Sequence, residues 1–164
     1  MERRSIRRSG IKGKLEQMFL GRYHHTIDDK GRLTIPARYR DLLAADGAYL
    51  TQGFDQNINV YPPEIFERIS KRVNKLSMTD PSARILRRLM FSNAEMVALD
   101  KTGRILIPQF LREELNFDNE AVIVGMGDYF EIWSPGQWVG QTSMMEESEP
   151  IAMRFVDLDL STGE

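Results

Sequence analysis

The chain has 164 residues, a formal net charge of −2 and no cysteine. The lack of cysteine excludes structural disulfides, thiolate zinc sites and a Cys nucleophile, and it fits a reducing cytoplasm. No apolar run approaches a membrane span, and the basic start is not followed by the apolar stretch a secretory signal needs. The total charge argues weakly against a nucleic-acid partner, but local fields steer ligands and the total does not.

Residues 1–17 carry Arg3, Arg4, Arg7, Arg8, Lys12 and Lys14 against two acidic groups, with little apolar content, so they read as a disordered basic arm. Two readings of the arm stay open. Either translation starts at Met18, where the pattern described below begins, or the arm is genuine and touches nucleic-acid phosphates. Tyr23–Ile27 is β-rich, Asp28–Gly31 is a turn whose glycine supplies the left-handed residue, and Arg32–Ile35 is the returning strand. On that strand Leu33 and Ile35 share one face, Arg32 and Thr34 the other. Pro36 cannot donate to a ladder but suits a helix start, which predicts a short helix over Ala37–Leu43. Ala48–Gln52 and Ile58–Tyr61 then pair around Gly53–Asn57.

Two helices follow. Pro62 and Pro63 open the first, with Ile65, Phe66, Ile69, Val73 and Leu76 at helical spacing. Thr79 or Asp80 can cap the second, whose apolar face is Ile85, Leu86, Leu89 and Met90. Their opposite faces carry Arg68, Lys71, Arg72, Lys75, Arg84, Arg87 and Arg88. Such stripes are most often solvated, although an auxiliary phosphate contact stays open. The earlier order of elements then returns: Ala94–Leu99, a turn, Arg104–Ile107, Pro108, a helix to Leu115, and Ala121–Gly125 with Tyr129–Trp133. A helix after Pro135 carries Trp138, Val139, Met144 and Met145, and the acidic tail from Glu149 is expected to be loose.

That return is a sequence repeat. Asp28-Asp29-Lys30-Gly31-Arg32-Leu33-Thr34-Ile35-Pro36 aligns without a gap on Asp100-Lys101-Thr102-Gly103-Arg104-Ile105-Leu106-Ile107-Pro108, 72 residues later. Phe19 and Phe91, Arg40 and Arg112, Leu43 and Leu115, Gly53 and Gly125, and Pro63 and Pro135 match at the same offset. The chain is therefore a tandem duplication. It divides into the arm 1–17, a first repeat 18–66, a basic helical connector 67–90, a second repeat 91–138, and a C-terminal helix and acidic tail 139–164. Each repeat, at about 48 residues, is marginal alone, so the halves must bury their apolar faces against each other or another chain.

In the shared motif, Asp28 and Asp100 can accept backbone N–H bonds from their own loops, while Gly31 and Gly103 permit the positive φ of a tight turn. Arg32 and Arg104 leave the turn at the strand mouth, where a guanidinium fork suits phosphate or the edge of guanine. Alternatively, each arginine pairs with its aspartate to fix the loop and takes no outside ligand. The copies also differ. Where the first has Lys30, Thr34 and Arg38, the second has Thr102, Leu106 and Phe110. The first reads as a nucleic-acid face and the second as biased to subunit packing, unless Leu106 and Phe110 simply fill a larger core.

Met18-Phe19-Leu20-Gly21, the two motifs, and Leu33-Thr34-Ile35-Pro36-Ala37-Arg38-Tyr39-Arg40 make the chain resemble the MraZ family, a bacterial branch of the AbrB-like (SpoVT-AbrB) swapped-hairpin transcription factors. The resemblance runs from residue 18 to about 148. It implies an α+β, β-rich barrel of two interlocked half-repeats with helices around it. It also implies a DNA-binding regulator of the division and cell-wall gene cluster, its own promoter included, that reads short direct repeats as a ring-like oligomer. DNA contact falls on Arg32, with Lys30, Arg38, Arg22 and Arg104 as further candidates, and the oligomer interface on Leu106 and Phe110. Double-stranded promoter DNA and other copies of the chain are the expected partners, in the cytoplasm at the nucleoid.

Other constellations say less. His24 and His25 alternate across a strand, so no metal site is expected. Gly125-x-Gly127 reads as a hairpin turn, since no helix of the dinucleotide pattern follows it. Tyr23, Tyr39 and Phe54 could stack on bases, but packing is the ordinary role. A small β-barrel enzyme lacks its parts, with neither a Cys nucleophile nor a convincing Ser/His/Asp set, and no cofactor or small-molecule substrate is expected. An antitoxin-like or scaffold module that binds a protein is the remaining alternative. Single-copy antitoxins of the superfamily carry one motif and a disordered tail, whereas this chain carries two motifs.

Overall fold

The computed structural model describes residues 18–43, 47–146, 151–155 and 157–160, so the basic arm lies outside the described residues. The first half supplies β1 (Arg22–Thr26), β2 (Arg32–Thr34), α1 (Ala37–Leu43), β3 (Ala48–Gln52) and β4 (Ile58–Tyr61). Next come α2 (Pro63–Asn74) and α3 (Pro81–Ser92). The second half supplies β5 (Glu95–Val97), β6 (Arg104–Leu106), α4 (Gln109–Glu114), β7 (Glu120–Gly125) and β8 (Phe130–Trp133), followed by α5 (Pro135–Met145) and α6 (Ile151–Arg154). The fold class is α+β, and every strand pairing described is antiparallel.

Six strands form one sheet in the order β1-β7-β8-β4-β3-β5, and β2 pairs with β6 as a separate ribbon. Exchanging the halves reverses the order without altering it, so the duplication has become a pseudo-two-fold axis. The axis passes between β4 and β8, where Asn59 faces Glu131, and through the ribbon, where Leu33 faces Ile105.

The hairpin expected from Tyr23–Ile27 and Arg32–Ile35 closes only at its turn. Asp28 N–H donates to the Arg32 carbonyl (3.0 Å) and Ile27 bridges Leu33. Beyond that point β1 leaves to pair with β7 and β2 with β6. Alternation along a strand fixes which face is buried but not which strand supplies the partner.

The sheet has two different covers. On its inner face Leu33, Ile35, Ile105 and Ile107 of the ribbon region pack with Leu50, Val60, Ile123 and Ile132, sealed by Tyr39 and Leu43 of α1, Leu111 of α4 and Leu115 at its C-terminal cap. Truncating one of these aliphatic side chains to Ala should cost about 2–5 kcal/mol. Tyr39 meets Phe19 edge-on at 5.0 Å and donates its hydroxyl to the Leu20 carbonyl at 2.7 Å. On the outer face α2 and α3 cover β3 and β4 through Tyr61, Phe66, Val73 and Met90, while α5 sets Trp138 against Trp133.

Several expectations shift. Asp80 caps α3 by accepting from Ser82 N–H at 2.9 Å. Ile85, expected on the apolar face, is 62% exposed, because the seam of α3 runs through Ala83, Leu86 and Met90 at i, i+3 and i+7. Phe54, expected to pack, is 76% exposed at the tip of the β3–β4 hairpin. The tail expected to be loose holds the short helix α6, with Arg154 donating to the Met144 carbonyl.

Candidate nucleic-acid interface

Each motif turn is tied by its own aspartate. Asp28 Oδ1 accepts from the backbone N–H groups of Lys30 (3.0 Å) and Arg32 (2.8 Å), and Oδ2 accepts from Arg32 Nε at 2.6 Å. Asp100 repeats this with Thr102 N–H (3.0 Å), Arg104 N–H (2.9 Å) and Arg104 Nε (2.9 Å), and adds the Thr102 hydroxyl. These donors stabilise the ionised form. The Arg32 backbone N–H foremost lowers the Asp28 carboxyl, and the Arg104 backbone N–H foremost lowers that of Asp100, to about 2. Gly31 and Gly103 close the turns at φ +85° and +78°.

The motif arginines therefore do fix their loops, as the alternative reading held. They do so mainly through Nε. Among the described residues the Nη nitrogens of Arg32 have no hydrogen-bond partner, and Arg104 Nη1 lies 3.5 Å from Asp28 Oδ2 in the other half. A guanidinium gripped at its base is oriented at low entropy cost and keeps donors for an incoming acceptor.

The ribbon places both arginines on one surface. Its register pairs Arg32 with Leu106 and Thr34 with Arg104, with Leu33 and Ile105 turned into the core. Ile35 N–H donates to the Gly103 carbonyl and Ile107 N–H to that of Gly31, both at 2.9 Å. Each helix after the ribbon thus starts beside the turn of the opposite half. Arg40 of α1 donates Nε to the Ile35 carbonyl (2.7 Å) and lays its guanidinium against Gly103. Arg112 of α4 donates to the Ile107 carbonyl (3.1 Å) and lies against Gly31, 2.5 Å from where a Cβ would stand. Sequence reasoning gave these two arginines no role. Their match at the constant offset was the available signal.

Of the residues singled out earlier, Lys30 is exposed at the first turn, whereas Arg38 is exposed on α1, the helix whose Arg40 lies against the second turn. Leu106 and Phe110 are 53% and 39% exposed, so they do not fill a larger core. Phe110 sits on the helix that braces the first turn. Each end of the ribbon therefore mixes residues of both copies. Arg22 stands apart from the other candidates, on the outer face of the sheet, its guanidinium 5.5 Å from the Trp138 ring. His24 is exposed and His25 half-buried, with its pKa lowered by burial and then by Arg40 and His24. Among the described residues no cluster of three or more His, Cys, Asp or Glu could hold a metal ion, and no helix is long and apolar enough to cross a membrane.

The model of one protein family, described as "MraZ protein, putative antitoxin-like", matches residues 18–89 and again 90–157. Among curated relatives, a protein of Herpetosiphon aurantiacus named "Transcriptional regulator MraZ" is 51% identical over 121 residues, covering 74% of this chain and 84% of the relative. Proteins of the same name from Roseiflexus castenholzii and Thermomicrobium roseum are 47% and 44% identical, each over 142 residues, 86% of this chain and 99% of theirs. With a matched segment in each half of the duplication and relatives this similar over most of its length, the chain belongs to the MraZ family.

Proposed function

We propose that the chain is a non-enzymatic, sequence-specific DNA-binding transcriptional regulator. It represses a division and cell-wall gene cluster that includes its own promoter, reading short direct repeats as a ring-like homo-oligomer at the nucleoid. The observation that carries this reading is the ribbon β2–β6. Its register puts Arg32 and Arg104 on the face away from the core, with exposed Lys30 at the first turn and exposed Arg38 on the helix after β2, in a chain whose relatives are named transcriptional regulators. Prepositioned guanidinium forks suit phosphate oxygens and the O6/N7 edge of guanine. The exchange of strands between halves supports a single-chain form of the swapped-hairpin barrel. Exposed Leu106 and Phe110, next to charges that would face DNA, support a contact between copies. Repetition around a ring would convert weak single contacts into avid ones.

A gel shift on the DNA upstream of the gene, titrated with salt, tests the reading. Arg32→Ala should weaken specific binding by about 1–3 kcal/mol per protomer engaged. Circular dichroism should stay unchanged, because the side chain is half-exposed and Asp28 keeps its backbone donors. A folded Arg32→Ala protein that shifts promoter DNA at the wild-type concentration would remove Arg32 from the interface.

A further inference from the structure

The α2–α3 hairpin carries charge that the ribbon reading does not use. From Glu64 to Met90 seven arginines and lysines face three acidic residues, Glu64, Glu67 and Asp80. Arg68, Arg72 and Lys75 lie within one arc of α2 and its C-terminus, and Arg84, Arg87 and Arg88 within one arc of α3. Arg87 joins the arcs by donating Nη2 to Asn74 Oδ1 at 3.0 Å, while its Nη1 is buried without an acceptor among the described residues. Arg68, Arg72, Lys75 and Arg88 are exposed and make no ion pair among the described residues, where the one bridge on these helices joins Lys71 to Glu67. Like charges this close repel one another, and an external anion relieves that cost.

The place of this face is as informative as its charge. Tyr49 and Tyr61 pack under the helices while their strand neighbours Leu50 and Val60 belong to the core beneath the ribbon. The helices and the motif turns therefore lie on opposite sides of the sheet. A straight duplex seated on the turns cannot also reach the helices. The face must serve a different stretch of ligand.

We infer that the outward face of α2–α3 is a second duplex-binding surface, which grips phosphates without reading bases. Charge complementarity names the occupant: a row of like-charged, unpaired cations on an exposed face suits a regular polyanion, which is what a duplex backbone presents. Phosphate backbone is matched by rows of cations one helical turn apart, and such contacts carry no sequence information. The inference rests on the reading of the chain as a DNA-binding protein. It adds that one assembly holds two DNA segments, or one bent around it, on opposite faces.

The test uses the full chain with Arg68→Gln, Arg72→Gln, Lys75→Gln and Arg88→Gln combined, and a random-sequence duplex as probe. Binding of that duplex at low salt should fall roughly tenfold or more, and the slope of log affinity against log salt should become shallower by up to about 3.6 for four phosphates. Preference for promoter over random DNA should rise, and immobilised promoter bound by the variant should no longer capture a second labelled duplex. A companion with Arg68→Lys, Arg72→Lys and Arg88→Lys should retain most of the binding, which a folding defect would not allow. Unchanged random-duplex affinity and slope in the folded variant overturn the inference. So does a loss of assembled mass by light scattering, which would make the face a contact between copies. Failure of the ribbon reading looks different: Arg32→Ala would then leave promoter binding intact while the glutamine variant still lost random-duplex binding.

Discussion

The turn at Asp28–Arg32 and the turn at Asp100–Arg104 are built by the same bonds and finished by different neighbours. Both use an aspartate that accepts two backbone N–H groups and one guanidinium, and both close on a glycine at positive φ. The first turn, with Lys30, is braced by Arg112 from the helix that carries Phe110. The second, with Thr102, is braced by Arg40 from the helix that carries Arg38. Charge that is unequal between the copies along the sequence is thus shared out in space. Arg32 has Leu106 across the ladder and Arg104 has Thr34, so each end of the ribbon is a composite. In a duplicated chain with exchanged strands, the structural unit at each turn is not the sequence repeat.

The strongest test of that composite is steric. A methyl group at Gly31 would meet the guanidinium of Arg112, and at Gly103 that of Arg40, in backbone conformations that disfavour any Cβ. Gly31→Ala and Gly103→Ala should each cost about 1–3 kcal/mol in urea denaturation, from backbone strain plus the displaced arginine. Near-equal losses would show that the two turns are equivalent as structure, whatever they bind. If Gly103→Ala is tolerated and Gly31→Ala is not, the pseudo-symmetry of the turns is only apparent.

Much of this was legible in the residues. The duplication, the short helices after Pro36 and Pro108, the β3–β4 pair and the Asp80 cap follow from local chemistry, which sequence records directly. The exchange of β1 and β2 between halves was not legible as pairing, since Leu33 and Ile35 announce a buried face without naming the strand that covers it. The same gap hides where each charged side chain ends up: Lys30 at the first turn, Arg38 on the helix whose Arg40 lies against the second, and Arg22 on the outer face of the sheet. One residue step along β1 turns Arg22 toward Trp138, while Tyr23 turns toward Tyr39.

A double-mutant cycle sharpens the comparison at smaller scale. If Arg112 braces the first turn, removing it with Arg112→Met relieves the clash that Gly31→Ala creates. The two changes together should then cost less than their sum by about 0.5–1.5 kcal/mol, within the range for contacting residues. Gly31→Ala with Arg40→Met should instead be additive, because Arg40 serves the other turn. Coupling in the second pair and none in the first would mean that each helix supports its own copy's turn.

The smallest expected effect lies at the axis, where the equivalent positions that face each other differ in chemistry, Asn59 in the first copy and Glu131 in the second. Glu131 is 8% exposed; its carboxylate accepts from Asn57 Nδ2 (3.0 Å) and Trp133 Nε1 (3.1 Å). Burial foremost raises its pKa, helped by nearby Asp55 and opposed by those two donors. A folded-state pKa above the unfolded one gives stability that is complete below the ordinary glutamate range and is lost as pH rises through the folded value. Wild-type stability should therefore carry a falling component that begins near the ordinary glutamate pKa and levels off above the raised one. Glu131→Gln removes that component. It also leaves one acceptor oxygen for two donors, a pH-independent loss of about 1–3 kcal/mol. The variant should thus start behind the wild type at low pH and gain on it as pH rises, whereas Asn59→Ala should show a constant deficit across the same window. If Glu131→Gln instead falls further behind with rising pH, the donors outweigh burial and the axis is held by an ionised carboxylate.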